Sequence, residues 1–482
     1  MRRAALLLAT VLGTQAQDAE MVLRTLVGYT AMRNTRPLTP EQKAEVATLG
    51  QQAQTAARQG QFGEAMRHYL HGTAVMQNRE WTPEAEFAAA LQARVDDAIA
   101  DPGQKLQLTL TPLYKITRPV DTKLKLTLNN TTTEIEISSQ TSPIEIPVPL
   151  PPTLTGNHEI TAEIAGQKKP VQIRIEALTP AANQLKARLE KTKEPYAEYA
   201  LELYKKAEQG EANPQKTDFK KLFAEANEIL DQSASGANPF ANRTGDIKRA
   251  YRSEVDQTLQ PYRVYVPTTY NKAKPTPLVI ALHGMGGSQD SFFDGYDNGV
   301  IKKEAEKHGF LMACPKGRGT ASMYRGTAEK DVMDVLAQMQ KDYNVDPKSI
   351  FLMGHSMGAY GTWSIAMAYP KVFAALGPIS GGGDPAGMEK IKGIPQYVVH
   401  GDNDRTVNVS QSRTMVEAGR KLGAKIEYIE VPNGSHVDIA IPNFAPMFAF
   451  FNKLGRGRDG SHDPPPAQIR TSGTTAYGSY LG

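Results

Sequence analysis

From Pro261 onward the chain alternates short, unbroken apolar runs with helical stretches, and that alternation leaves few folds open. Residues 278–282, 310–313 and 350–353 are continuously apolar, and residues 396–400 and 426–431 have mixed strand character. Helical stretches lie between them, for example over residues 331–343 and 410–422. A strand that is apolar on both sides must be covered on both faces. The order of strands and helices therefore predicts a largely parallel sheet with helices on both faces, over residues 238–454.

The preceding half is patterned differently. Leu106-Gln107-Leu108-Thr109-Leu110, Leu124-Lys125-Leu126-Thr127-Leu128 and Val171-Gln172-Ile173-Arg174-Ile175 alternate strictly. Period-two alternation predicts half-buried strands, and their short spacing predicts a small antiparallel β-sandwich over residues 104–177. Helical regions are expected on either side, at residues 17–103 and 178–237. Thr39-Pro40-Glu41-Gln42 and Thr82-Pro83-Glu84-Ala85 read as helix starts, each a capping Thr followed by Pro and an acid. Residues 233–239 are a small-residue linker. Residues 1–16 have the basic, apolar and small-residue order of a secretory signal peptide. Residues 455–482, rich in Gly, Pro, Ser and Thr, read as a flexible tail.

Composition excludes several classes. With 55 Lys and Arg against 51 Asp and Glu, the net charge of +4 gives no argument for a nucleic-acid partner. Beyond the first twenty residues no apolar run is long enough for a membrane span. Cys314 is the only cysteine, so no intramolecular disulfide forms.

The chemistry is concentrated late in the chain. Gly354-His355-Ser356-Met357-Gly358 joins a strand to a helix of small and apolar residues. A serine on such a turn is held above the sheet, and the glycines permit the strained backbone. A serine hydroxyl needs a base and an oriented third partner, in the order Ser, acid, His on this kind of fold. Asp402 and Asp404 follow the 396–400 strand, and His436 follows the next one. Asp404 is taken as the acid, because Asp402 is better placed to cap the turn. His436 is the base, being the histidine that follows the acid loop within the folded sequence. His283, His355 and His400 flank glycine turns and read as local hydrogen-bonding residues. His283-Gly284-Met285-Gly286-Gly287 follows the first buried strand and can aim backbone N–H groups at an oxyanion. The amides of Met285 and Met357 are the expected donors.

These segments, with Ser380-Gly381-Gly382-Gly383-Asp384 and His400-Gly401-Asp402-Asn403-Asp404, resemble the α/β-hydrolase esterases. The nearest group is the phospholipase/carboxylesterase or "predicted peptidase" group, related to polyhydroxybutyrate depolymerases and feruloyl esterases. The resemblance covers residues 262–454 and implies Ser356, Asp404 and His436 as the triad, with no metal or organic cofactor. Some relatives carry an immunoglobulin-like domain before the catalytic one, which suits the 105–175 strands. The expected protein is a secreted or periplasmic serine esterase acting on an ester, with a polysaccharide- or polymer-linked one in view. The N-terminal domains are the candidates for oligomer contacts. A serine peptidase on the same fold, and a polymer-binding protein with an accessory hydrolase domain, are the alternative readings. Only residues 381–394 separate two late strands, so no cap domain is expected there.

Overall fold

The computed structural model describes residues 21–456. The signal sequence expected at residues 1–16 lies outside them, as does the expected tail apart from its first two residues, which end the last helix. The chain forms two compact units. One runs through Ala187 and takes in residues 200–224; the other comprises residues 188–199 and everything described from Glu225 on.

The first unit opens on helices. Residues 21–35 are helical, followed by α1 (Pro40–Arg58), α2 (Phe62–Met76) and α3 (Pro83–Ala90). Thr39 and Gln42 cap α1 reciprocally, each side chain accepting from the other's backbone N–H at 3.2 and 3.0 Å. The strands are β1 (Leu91–Val95), β2 (Ile99–Ala100), β3 (Lys105–Pro112), β4 (Asp121–Leu128), β5 (Thr131–Ser138), β6 (Ile144–Pro149), β7 (Gly156–Ile164) and β8 (Gln167–Ile175). They form two sheets, ordered β1-β3-β6 and β2-β8-β7-β4-β5, antiparallel except for the β2–β8 pair. Leu106, Leu108 and Leu110 of one sheet share a core with Leu124, Ile160 and Ile173 of the other. The strands begin at Leu91, not at residue 104, which corrects the helical expectation for residues 17–103. The Ala-rich run through residue 90 reads as helix, and nothing local marks its end. Pairing of Leu91 to Val95 with β3 is what makes the next residues extended.

Three helices come next: α4 (Thr179–Leu189), α5 (Pro195–Glu208) and α6 (Phe219–Ala234). The hydrolase-like domain expected from residue 238 is part of a unit that starts earlier. Glu225 accepts from the Tyr196 hydroxyl and from Arg243, both at 3.0 Å. The Tyr196 ring meets Phe240 edge-on, and the Arg249 guanidinium lies 4.0 Å over Phe240. These contacts tie residues 188–199 and the end of α6 to residues 240–249.

The second unit is built on an eight-stranded sheet: β9 (Gly245–Arg252), β10 (Leu259–Val266), β11 (Thr276–Leu282), β12 (Leu311–Pro315), β13 (Val345–His355), β14 (Ala375–Ile379), β15 (Gln396–Gly401) and β16 (Ile426–Val431). Their order is β16-β15-β14-β13-β11-β12-β10-β9. Six strands are parallel, while β10 is antiparallel to both its neighbours. Helices α7 (Ile301–His308) and α11 (Ala440–Arg456) share one core with Val279, Ala281, Phe351 and Val399. The alternate residues Leu278, Ile280 and Leu282 are equally buried on the opposite face. The longer of the other helices are α8 (Thr327–Asp342), α9 (Met357–Ala368) and α10 (Ser410–Lys421). A mixed sheet covered by helices on both faces, in this order, fits an α/β-hydrolase. No described helix is long and apolar enough to cross a membrane.

Candidate active site

Ser356 stands between β13 and α9 with φ 58° and ψ −120°, a conformation that costs energy for any residue with a Cβ. Two glycines make that turn feasible. A Cβ on Gly354 would lie 2.2 Å from the Gly358 carbonyl oxygen, and one on Gly358 would lie 1.9 Å from that of Leu282. The Ser356 amide donates to Ile379 O at 2.9 Å, pinning the turn to the next strand.

His436 sits in the loop after β16 and Asp404 in the loop after β15. His436 Nε2 is 2.9 Å from Ser356 Oγ, and its Nδ1 is 2.6 Å from Asp404 Oδ2. The three side chains thus form one continuous hydrogen-bonded chain at the carboxyl ends of parallel strands. Asp404 is fully buried there, while His436 keeps part of its ring exposed. Asp404 Oδ1 accepts from the amides of Thr406 and Val407 at 2.8 and 2.9 Å. Burial pushes this carboxyl up, but hydrogen bonds from His400, His436 and the Val407 amide outweigh it and hold it well below the usual carboxylate range. Asp402 instead accepts from the Asn433 amide at 2.6 Å, bracing the acid loop against the histidine loop.

Of the two expected oxyanion donors, Met357 follows the serine directly and Met285 follows Gly284 in the glycine loop. Met357 is the first residue of α9, so its amide is one of the unpaired donors at a helix start. In the glycine loop, the amides of Gly286, Gly287 and Ser288 donate to Thr320 O, Gly284 O and Ser291 Oγ. The Met285 amide makes none of these bonds. Gly284 lets this loop approach, since a Cβ there would be 3.3 Å from the Ser356 Cβ.

Three further residues shape this site: His355, expected to bond only locally, whose partner instead lies 81 positions away; Ser380, quoted above only as part of a motif; and Tyr296, which the sequence did not single out. His355 Nε2 lies 2.7 Å from the carbonyl oxygen of His436, and Ser380 Oγ donates to the same oxygen at 3.1 Å. The Tyr296 hydroxyl is 2.7 Å from His355 Nδ1. With Tyr296 donating, His355 is neutral, carries its proton on Nε2 and holds the backbone of His436. His400, expected to bond only locally, also approaches Asp404 Oδ2 at 3.2 Å, with Val407 O at 3.0 Å from the same nitrogen. His283 bridges Gly284 O and Lys316 O, both at 2.8 Å.

Burial pulls His355 down from 6.5 to about 4, with the nearby His436 and His400 lowering it and the His436 carbonyl and Asp404 raising it. Its folded value lies below the unfolded one, so the unfolded chain binds more protons in between. The stabilising contribution is complete above pH 6.5 and falls away as the pH drops toward 4, by about 3 kcal/mol. Thermal unfolding between pH 7 and 4 should therefore fall less steeply for His355→Gln than for the wild type. Parallel curves would contradict this account.

No family model matches the chain. Residues of the chain are 32% identical over 151 positions to a bifunctional acetylxylan esterase/xylanase of Neocallimastix patriciarum, covering 31% of this chain and 22% of that protein. They are 28% identical over 135 positions to acetylxylan esterase A of Aspergillus oryzae, covering 26% of this chain and 42% of that one. A probable feruloyl esterase C of Aspergillus flavus is 27% identical over 187 positions, 37% of this chain and 68% of that protein. The chain thus spans less than half of the first two relatives. Among solved structures, a ferulic acid esterase from Anaeromyces mucronatus is similar with a TM-score of 0.37 and 17% identity, over 43% of this chain and 90% of that one.

Proposed function

We propose that this chain is an exported serine esterase of the α/β-hydrolase type, acting on short acyl or aryl esters of a bulky alcohol or polysaccharide. The carrying observation is the hydrogen-bonded chain from Asp404 through His436 to Ser356, on a strained turn at the strand ends. Ser356 Oγ attacks the ester carbonyl while His436 Nε2 takes its proton. Asp404 holds the Nδ1 proton and stabilises the imidazolium. The amides of Met285 and Met357 receive the oxyanion. His436 then protonates the leaving alcohol, and water, activated in the same way, releases the acid from the acyl-enzyme.

The acetylxylan and feruloyl esterase relatives support esters over amides, and polysaccharide-linked alcohols over lipids. Export rests on the basic, apolar and small-residue order at the chain start. The connection from β14 to β15 supports short acyl groups. It holds one 3₁₀ turn (Pro385–Gly387) and one helical turn (Met388–Ile391), too little for a cap domain. A site without a cap grips little of a long acyl chain. The exposed side chains of Met285 and Val437, neighbours of the glycine loop and of His436, offer apolar contact to an aryl acid.

A panel of p-nitrophenyl acetate, butyrate and palmitate, acetylated xylan, methyl ferulate and a peptide anilide tests this reading. Acetyl or feruloyl esters should be turned over fastest, palmitate weakly and without activation at an interface, and the anilide scarcely at all. Preferred anilide cleavage would overturn the ester reading, and interfacial activation on palmitate the short-acyl one.

A further inference from the structure

The first unit contains a cavity of about 340 Å³, at the small end of the range for ligand pockets. Its walls come from α2, α3, the segment between them and the turn of the β7–β8 hairpin. Lys169 and Arg79 both line it, and among the described residues neither makes an ion pair or a side-chain hydrogen bond. Burial pulls the Lys169 ammonium down to about 8, and the positive charge of Arg79 adds to this. Lys169 is partly buried and Arg79 exposed, so the ammonium alone is partly desolvated, and an anion placed between the two would favour its charged form. The one carboxylate on the lining, Glu80, is exposed and pairs with neither cation.

The rest of the lining restricts what the anion belongs to. Trp81 lines the cavity, its indole backed by the His71 ring stacked at 4.7 Å and 13°. A fixed indole offers a flat face to a ring, and its N–H has no acceptor among the described residues. Thr73 and Thr82 also line it; the Thr73 hydroxyl donates to Tyr69 O and the Thr82 oxygen accepts from the Ala85 amide, and each keeps capacity for one further hydrogen bond. A flat apolar face, a few hydroxyls and two cations match a sugar ring that carries a carboxylate.

We propose that this cavity binds a uronic acid residue of a glycan, its carboxylate between Lys169 and Arg79 and its ring against Trp81. The site shares no residue with the Ser356 chain, and the inference holds whether or not Ser356 hydrolyses esters.

Calorimetric titration of the full chain tests it, with a glucuronic acid-substituted xylo-oligosaccharide, its unsubstituted counterpart and inorganic phosphate as probes. The acidic oligosaccharide should bind, and the neutral one at least about tenfold more weakly. Lys169→Met and Trp81→Ala should each lose at least about tenfold in affinity for the acidic probe. Hydrolysis of p-nitrophenyl acetate should be unchanged in both, and circular dichroism with thermal unfolding checks that the first unit still folds in each variant. Lys169→Arg should retain binding. Equal affinity for the neutral oligosaccharide, binding of phosphate alone, or no binding of any probe would each overturn the proposal. None of these outcomes bears on ester hydrolysis, which the acetate assay reads separately.

Discussion

Ser356→Ala is expected to abolish ester turnover, with a loss on the order of 10⁶ in kcat, because the covalent route disappears with the hydroxyl. The backbone should not change. Serine and alanine both carry a Cβ, so the cost of φ 58° is the same in both, and the amide bond to Ile379 O remains. The glycines that make room for the turn are untouched. What is lost is one oxygen, 2.9 Å from His436 Nε2. Met285, Met357 and His436 stay in place, so slow hydrolysis by a water activated at His436 is the expected residue of activity. Turnover of p-nitrophenyl acetate, with thermal unfolding as the fold control, measures the loss. An organophosphonate should label Ser356 in the wild type and nothing in the variant. Substantial activity in the variant, or labelling of another serine, would sink the assignment.

The inner sheet strands were legible because burial on both faces leaves a direct mark on sequence. Residues 278–282, 311–313 and 350–353 of β11, β12 and β13 are buried throughout and read as unbroken apolar runs. The strands β14 and β15, buried at every position too, carry Gly377, Pro378, Gln396 and His400 and read less plainly. The strands β9 and β10 left no such mark. Their buried positions include Arg249 and Arg263, which look like surface residues in a sequence. Only the fold supplies their partners: Asp342 for Arg249, and Asp246, Asp290 and Asp294 for Arg263. The same limit applies around Ser356. The strand-to-helix turn is a local pattern, readable from five residues. The braces on His436 are not local. His355 reaches its carbonyl from 81 positions away, Ser380 from 56, and Tyr296 reaches His355 from 59. Tyr296 also lies in a run of left-handed residues through Gly299, of which only the last is a glycine. Such a run is unfavourable locally and gives no signal until the contacts that hold it are known.

Asp404→Asn is expected to cost roughly 10⁴ in kcat, and Asp402→Asn only a small factor. The difference lies in the groups that face each oxygen. Asp404 Oδ1 accepts from two backbone amides, and Oδ2 faces His436 Nδ1 and His400 Nε2. An asparagine there has one oxygen and one NH₂ group. If the oxygen stays on the Thr406 and Val407 amides, the NH₂ faces His436 Nδ1 and forces its proton onto Nε2. That nitrogen then cannot accept the proton of Ser356. If the amide is turned round, the NH₂ meets two backbone donors and the loop loses both bonds. Neither orientation preserves the site. At Asp402 the oxygen in use accepts from the Asn433 amide, and an asparagine oxygen can do the same. Kinetics on p-nitrophenyl acetate for both variants, beside their thermal unfolding, separate the two acids. A larger loss for Asp402→Asn would transfer the orienting role to Asp402 and overturn the choice of Asp404.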